Sequence, residues 1–190
     1  ENLLTKVDAL IIGGGMSYTF YKAMGLEIGT SILDADNVEL AKSLIEKAEK
    51  LGVKLLLPID IVCVKEFDNN SESKVFDKES IPYDYMGLDI GPETIKLYRE
   101  TLAKAATVVW NGPMGVFEMP NFAKGTIAVG DYVAEATKKG AFSLVGGGDS
   151  VAAVKQFGFE HKVSYVSTGG GAMLESLEGL VLPGIAAINE

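Results

Sequence analysis

The stretch Val7-Asp8-Ala9-Leu10-Ile11-Ile12-Gly13-Gly14-Gly15-Met16-Ser17-Tyr18-Thr19-Phe20-Tyr21-Lys22-Ala23-Met24-Gly25 decides the fold class. Val7 to Ile12 is a short, mostly apolar run closed by glycine, which reads as a buried strand. The glycine triplet turns the chain. Ser17 to about Met24 then reads as a helix, with Gly25 where a helix-stopping glycine belongs. A strand, a glycine turn and a helix start together make a site for an anion. The amides of the first helical turn have no partner within the helix, and the helix dipole adds partial positive charge there.

The same unit recurs outward along the chain. Asp36 and Asn37 stand where they can cap a helix whose apolar face is Val38, Ala41, Leu44, Ile45, Ala48 and Leu51, ended by Gly52. Val53 to Leu57 reads as a strand stopped by Pro58, and Ile61 to Val64 stays extended. Lys65 to Asp84 is polar and broken at Asn69-Asn70-Ser71, so it is expected to leave the core, with a short hairpin. Pro92 opens a helix running to about Ala105. Three strands follow, at Thr107 to Trp110, Phe142 to Val145 and Val163 to Ser167. Helices at Asn121 to Lys139, Asp149 to Phe157 and Ala172 to Leu177 separate and follow them. Such alternation implies right-handed βαβ units, and apolar strands imply a sheet covered by helices. The expected fold is α/β: a doubly wound, Rossmann-like, mainly parallel sheet of about six strands with helices on both faces, in one domain over residues 1–190.

Composition narrows the function. The 190 residues carry 26 acidic against 17 basic side chains, a net charge of −9, which argues against nucleic acid or an anionic membrane as partner. One cysteine, Cys63, rules out an intrachain disulfide, and one histidine, His161, rules out the usual His/Cys zinc sites. Cys63 is expected in the core and His161 at the surface. No apolar run approaches ~18 residues, so no membrane-spanning helix is expected. Glu1-Asn2-Leu3-Leu4 lacks the basic start of a signal peptide. The chain opens without Met, in what reads as a helix tail with Leu3, Leu4 and Val7 on one side. It is expected to be a piece of something longer.

Nine of the 22 glycines stand in triplets, at 13–15, 146–148 and 169–171. With Asn111-Gly112-Pro113-Met114-Gly115, that makes four glycine loops after strands, all at the sheet edge where doubly wound folds bind ligands. The P-loop pattern is absent, and Tyr18 stands where a GxGxxG motif needs its third glycine. Asp149 has two readings, a cap on its own helix or a Mg²⁺-associated carboxylate beside phosphates. Glu118 is either a surface charge or an acceptor for ribose hydroxyls.

Five segments together are more specific: Ile11-Ile12-Gly13-Gly14-Gly15-Met16, Gly87-Leu88-Asp89-Ile90-Gly91-Pro92, Trp110 through Glu118, Gly146-Gly147-Gly148-Asp149-Ser150, and Ser167-Thr168-Gly169-Gly170-Gly171-Ala172. In this order and spacing the chain resembles the second half of the phosphoglycerate kinase family, and Leu182-Pro183-Gly184 resembles that family's tail. The resemblance implies phosphoryl transfer between 1,3-bisphosphoglycerate and ADP, giving 3-phosphoglycerate and ATP, with Mg²⁺. It implies that this is the nucleotide-binding domain of a cytoplasmic, monomeric two-domain glycolytic kinase. Gly13, Gly14, Ile32, Gly87 and Leu88 would line the adenine pocket. Asn111, Pro113, Gly115, Val116 and Glu118 would hold ribose and phosphates. Gly146, Gly147, Gly148 and Asp149 would serve the Mg²⁺–phosphate assembly, with Asp149 as metal ligand. Ser150, Gly169, Gly170 and Gly171 would attend the moving phosphoryl group.

Position 150 is Ser where many of the family have Thr, and the hydroxyl is kept. The family's lysine-bearing glycine loop and its basic, arginine-containing substrate domain are not in these residues. The chain alone is therefore expected to bind Mg-ADP or Mg-ATP weakly at best and not to turn over. Two other readings stay open from the sequence: a stand-alone, non-enzymatic nucleotide-binding module, and an unrelated doubly wound enzyme acting on sugar phosphates.

Overall fold

A computed structural model of the chain describes residues 1–167, 169–177 and 179. After a 3-10 turn at Asn2–Thr5, where the sequence reads as a helix tail, the strands and α-helices begin in chain order with β1 (Ala9–Ile11), α1 (Met16–Ala23), α2 (Val38–Leu51) and β2 (Lys54–Leu56). They continue with β3 (Asp60–Val64), β4 (Lys74–Asp77), β5 (Met86–Ile90) and α3 (Pro92–Leu102). Then come β6 (Thr107–Trp110), α4 (Lys124–Lys138), β7 (Phe142–Val145), α5 (Gly148–Gln156), β8 (Tyr165–Val166) and α6 (Gly170–Leu177). The Leu182-Pro183-Gly184 tail lies outside the described residues.

The α/β class and the parallel strands are as the sequence implies. Among the described residues, five parallel strands form two ladders, β1-β2 and β6-β7-β8. Helices make the long crossovers that parallel strands require. The other three strands form an antiparallel sheet in the order β4-β3-β5. The polar excursion after Val64 is therefore the return arm of a hairpin, with Ile61 opposite Phe76. The stretch 86–90, read from the sequence only as a motif, is a strand paired to the other side of β3. Flanked on both sides, β3 is buried along most of its length.

Local chemistry sets the end of α2, while the starts of α2 and α3 are set otherwise. Gly52 takes φ +69° and ends α2 in the left-handed conformation that glycine adopts freely. Asn37 does not cap α2 with its side chain, contrary to expectation. Its amide donates instead to Asp34 Oδ2 at 2.7 Å, and α2 grows out of a 3-10 turn at Ala35–Asn37. The start of α3 is satisfied from outside the helix. The Asp60 carboxylate on β3 accepts the amides of Glu93 at 3.0 Å and Thr94 at 2.8 Å, and the Thr94 hydroxyl at 2.6 Å. Gly91 is required beside it, because any side chain there would overlap that carboxylate.

The main core lies between the two ladders. Leu56 on β2, Trp110 on β6 and Val145 on β7 pack with Tyr98 and Leu102 of α3 and Val133 of α4. The Tyr98 hydroxyl donates to the Ile12 carbonyl at 2.6 Å, pinning α3 to the end of β1. On the other face of β6–β8, Val109, Phe142 and Tyr165 are exposed.

Candidate functional site

The loops that follow β1, β6 and β7 meet one another, and glycine is what lets them. The Gly14 amide donates to the Met114 carbonyl at 3.1 Å. Gly14 has φ +60°, and a β-carbon there would stand 2.8 Å from the Pro113 carbonyl oxygen. The Met114 side chain occupies the space where Gly13 would carry one. The 111–118 loop is tied to β5 by the Val116 amide, which donates to the Leu88 carbonyl at 2.8 Å. It is tied to α5 by the Gly112 amide, which donates to Ser150 Oγ at 2.5 Å. Gly147, at φ +91°, faces Asn111 Oδ1, and Gly146 lies against the Met173 side chain of α6. Trp110 Nε1 donates to the Gly112 carbonyl at 2.7 Å and fixes the turn from below. The result is one continuous rim at the carboxyl ends of the parallel strands.

The rim presents backbone donors. The first helical bond of α5 runs from the Val151 amide to the Gly147 carbonyl at 3.0 Å. The amides of Gly148, Asp149 and Ser150 therefore stand at the open, positive end of the helix. Gly147, not Asp149, is the N-cap, and no side chain caps α5, so the capping reading of Asp149 is overturned. Asp149 sits in the first turn with its side chain exposed, as are Gly148, Gly169 and Gly171.

The other expected site residues fall on or just behind this rim. Ile32 is 72% exposed and leans over Gly15. Its neighbour Ser31 accepts the Gly87 amide at 3.0 Å, which brings the 31–33 segment beside β5 and the first triplet. Gly87 is buried, with the Tyr18 hydroxyl where a side chain would be, and Leu88 is buried with Val64 and Phe122. Both therefore back the rim and do not face solvent. Asn111 and Glu118 are exposed, while Pro113, Gly115 and Val116 are half-buried. Ser150 is buried, and its hydroxyl faces the 111–118 loop. The Gly170 backbone opens α6, and Thr168 lies outside the described residues.

His161 is exposed beside Glu160, as expected. Cys63 is fully buried, and burial pushes its thiol up to about 12, so it stays an unreactive core residue. The described residues hold no cluster of three or more His, Cys, Asp or Glu side chains suited to a metal. A single exposed carboxylate fits Mg²⁺ that is held mainly by phosphate oxygens, and does not fit an all-protein cage.

Sequence reasoning missed Asp89. It is 3% exposed in the middle of β5, and burial pushes its carboxyl up to about 7 against the pull of the Gly125 and Ile90 amides and the Lys124 cation. An aspartate inside an apolar strand, with glycines two residues to either side, was the available signal.

Residues 1–180 match the model of the family described as phosphoglycerate kinase. The chain belongs to the phosphoglycerate kinase family. It is 56% identical over 190 residues to a chloroplastic phosphoglycerate kinase of Volvox carteri, covering all of this chain and 41% of that protein. It is 56% identical over 189 residues to the phosphoglycerate kinase of Chloroherpeton thalassium, covering all of this chain and 48% of the relative. Among solved structures, the phosphoglycerate kinase of Coxiella burnetii superposes with a TM-score of 0.91 at 43% identity, over 95% of this chain and 46% of that one. That of Pyrococcus horikoshii gives 0.75 at 33% identity, over 100% and 47%. The chain thus spans about half the length of the family members it matches.

Proposed function

We propose that this chain is the nucleotide-binding part of a phosphoglycerate kinase, and that the rim of glycine loops holds Mg-ADP or Mg-ATP. The observation that supports this most is the interlocking of the loops. Hydrogen bonds from the Gly14 amide to the Met114 carbonyl, the Val116 amide to the Leu88 carbonyl and the Gly112 amide to the Ser150 hydroxyl join separate strand ends into one preorganised surface. That surface ends at the open N-terminus of α5, which suits phosphate.

In this reading Gly13, Gly14 and Ile32 form the base side, backed by the buried Gly87 and Leu88. Asn111, Pro113, Gly115, Val116 and Glu118 hold ribose and phosphates, with Glu118 accepting from the ribose hydroxyls. Gly146, Gly147, Gly148 and Asp149 take the phosphate end. Gly169, Gly170 and Gly171 offer amides to the transferring phosphoryl group. Ser150 acts beside them by holding the 111–118 loop against the start of α5. In the reaction, a P–O bond to the terminal phosphate oxygen of ADP forms as the P–O bond to the glycerate carboxyl group breaks. ATP and 3-phosphoglycerate result. No protein nucleophile is needed, so positioning and charge stabilisation carry the catalysis. Bound Mg²⁺ would supply charge neutralisation at the phosphates, with Asp149 as its protein ligand.

Recognition of 3-phosphoglycerate and 1,3-bisphosphoglycerate is proposed for residues outside these 190. The chain alone is therefore expected to bind nucleotide weakly and to make no ATP. Among the described residues, no helix is long and apolar enough to cross a membrane. A cytoplasmic, monomeric full-length enzyme without nucleic-acid partners completes the proposal.

Calorimetric titration tests it. Mg²⁺ is expected to tighten ADP binding to the wild-type chain by about tenfold, the worth of one good ionic contact. Asp149→Ala is expected to lose that gain while still binding metal-free ADP. Absence of any ADP binding by the wild-type chain would overturn the proposal.

A further inference from the structure

One buried carboxylate lies behind the rim and is tied to three parts of the fold at once. Asp89 Oδ1 accepts the amide of Ile90 at 2.9 Å, and Oδ2 accepts the amide of Gly125, in the first turn of α4, at 2.8 Å. The α-carbons of Gly115 and Gly125 both press on it. A β-carbon at either position would overlap Asp89 Oδ1, and one at Gly115 would also stand 2.7 Å from the Leu88 carbonyl oxygen. The next residue after Gly115 is Val116, whose amide donates to that same Leu88 carbonyl. The 111–118 loop thus packs against Asp89 at Gly115 and is hydrogen-bonded to the neighbouring residue of β5, Leu88.

We propose that Asp89 is a positioning residue of the nucleotide site, its carboxylate clamping the Gly115 turn and the start of α4 onto β5. This rests on the nucleotide reading given above. Asp89 is not on the exposed rim and is not expected to touch the ligand. It acts through Gly115 and Val116.

Both oxygens accept backbone N–H groups, so this arrangement belongs to the ionised carboxylate. Protonation removes the charge and leaves one oxygen a poorer acceptor, so that side of the clamp weakens. Burial holds the carboxyl near neutrality, at about 7, so the change falls in an accessible pH range. The ionisable groups that interact with it are Lys124 at the start of α4, which favours the carboxylate, and Tyr18 of α1, whose buried phenol stays neutral. The effects on stability and on binding then run in opposite senses. A raised carboxyl pKa means that the folded chain holds the proton more tightly than the unfolded one. Stability therefore falls as pH rises from the ordinary 3.8 to about 7. Nucleotide affinity rises as the clamp ionises. A merely structural aspartate would not give that crossing.

The test measures Mg-ADP affinity and unfolding stability of the chain against pH, for wild type, Asp89→Asn and Asp89→Glu. From about pH 8 to about pH 6 the wild-type dissociation constant is expected to rise about fivefold, part of the worth of one charge-assisted hydrogen bond. Effects of nucleotide protonation are shared by all variants. Asp89→Asn keeps the shape without the charge, and is expected to lose the excess pH dependence and to bind at all pH values as weakly as wild type does in acid. Asp89→Glu keeps the charge but overfills the space at Gly115 and Gly125, and is expected to bind weakly throughout. If Asp89→Asn binds as wild type does and follows the same pH profile, the positioning role is wrong while the nucleotide reading stands. If wild type binds no Mg-ADP at any pH, the nucleotide reading fails and takes this proposal with it.

Discussion

Asp60→Ala is expected to destabilise the chain by about 3 kcal/mol, because it strips the start of α3 of its remote cap and leaves partly buried donors unmatched. The carboxylate accepts three hydrogen bonds, from Glu93 N, Thr94 N and Thr94 Oγ1, at 3.0, 2.8 and 2.6 Å. Asp60 is 8% exposed and Thr94 is fully buried, so little water can replace the lost acceptor. An exposed cap is worth about 1 kcal/mol, and each unmatched buried group adds about 1–3 kcal/mol. Even with relaxation, the sum stays well above the cost of an ordinary surface change. With a urea m-value of roughly 2 kcal/mol/M, the unfolding midpoint should fall by about 1.5 M. A midpoint that hardly moves would show that α3 does not depend on this contact.

Gly14→Val is expected to damage both fold and site. Position 14 has φ +60°, and the obstacle to a β-carbon is the Pro113 carbonyl at 2.8 Å, a backbone atom that no rotamer change can move. Left-handed strain and overpacking together are expected to cost about 3 kcal/mol. Relief requires the first glycine loop to part from the 111–118 loop, so Mg-ADP affinity should fall at least about tenfold, the equivalent of one lost contact. Gly112→Ala is the informative comparison. It too has positive φ, +96°, but nothing lies within 4 Å of the added atom. Its expected cost is only the conformational one, about 1–2 kcal/mol. Equal effects of the two substitutions would mean that loop contact is not what the glycine at position 14 provides.

Much of this architecture was legible because periodicity and glycine punctuation report local structure. The helix from Val38 carries its buried face in its spacing and its stop in Gly52. The loops after Ile12, Trp110 and Val145 announce themselves by glycine. Contacts between segments distant in the chain were not legible. The pairing of β3 with both β4 and β5 joins segments whose local patterns are unremarkable, and only the folded register reveals it. Asn37 illustrates the same limit, since a local capping residue lost its role to a neighbouring 3-10 turn. Asp60 and Asp89 cap helices 33 and 36 residues away, and no local rule reaches across such a gap. Gly91, Gly115 and Gly125, in turn, lie where a β-carbon would overlap one of those carboxylates, and none of the three has positive φ.

Amide chemical-shift mapping of the isotope-labelled chain with Mg-ADP tests the central claim most directly. The largest shifts are expected together at Gly13 to Gly15, Asn111 to Gly115 and Gly148 to Ser150, with the β3–β4 hairpin unmoved. Shifts confined to one loop, shifts centred on the exposed Val109, Phe142 and Tyr165 face, or no shifts at all would contradict a single nucleotide site built from the interlocked glycine loops.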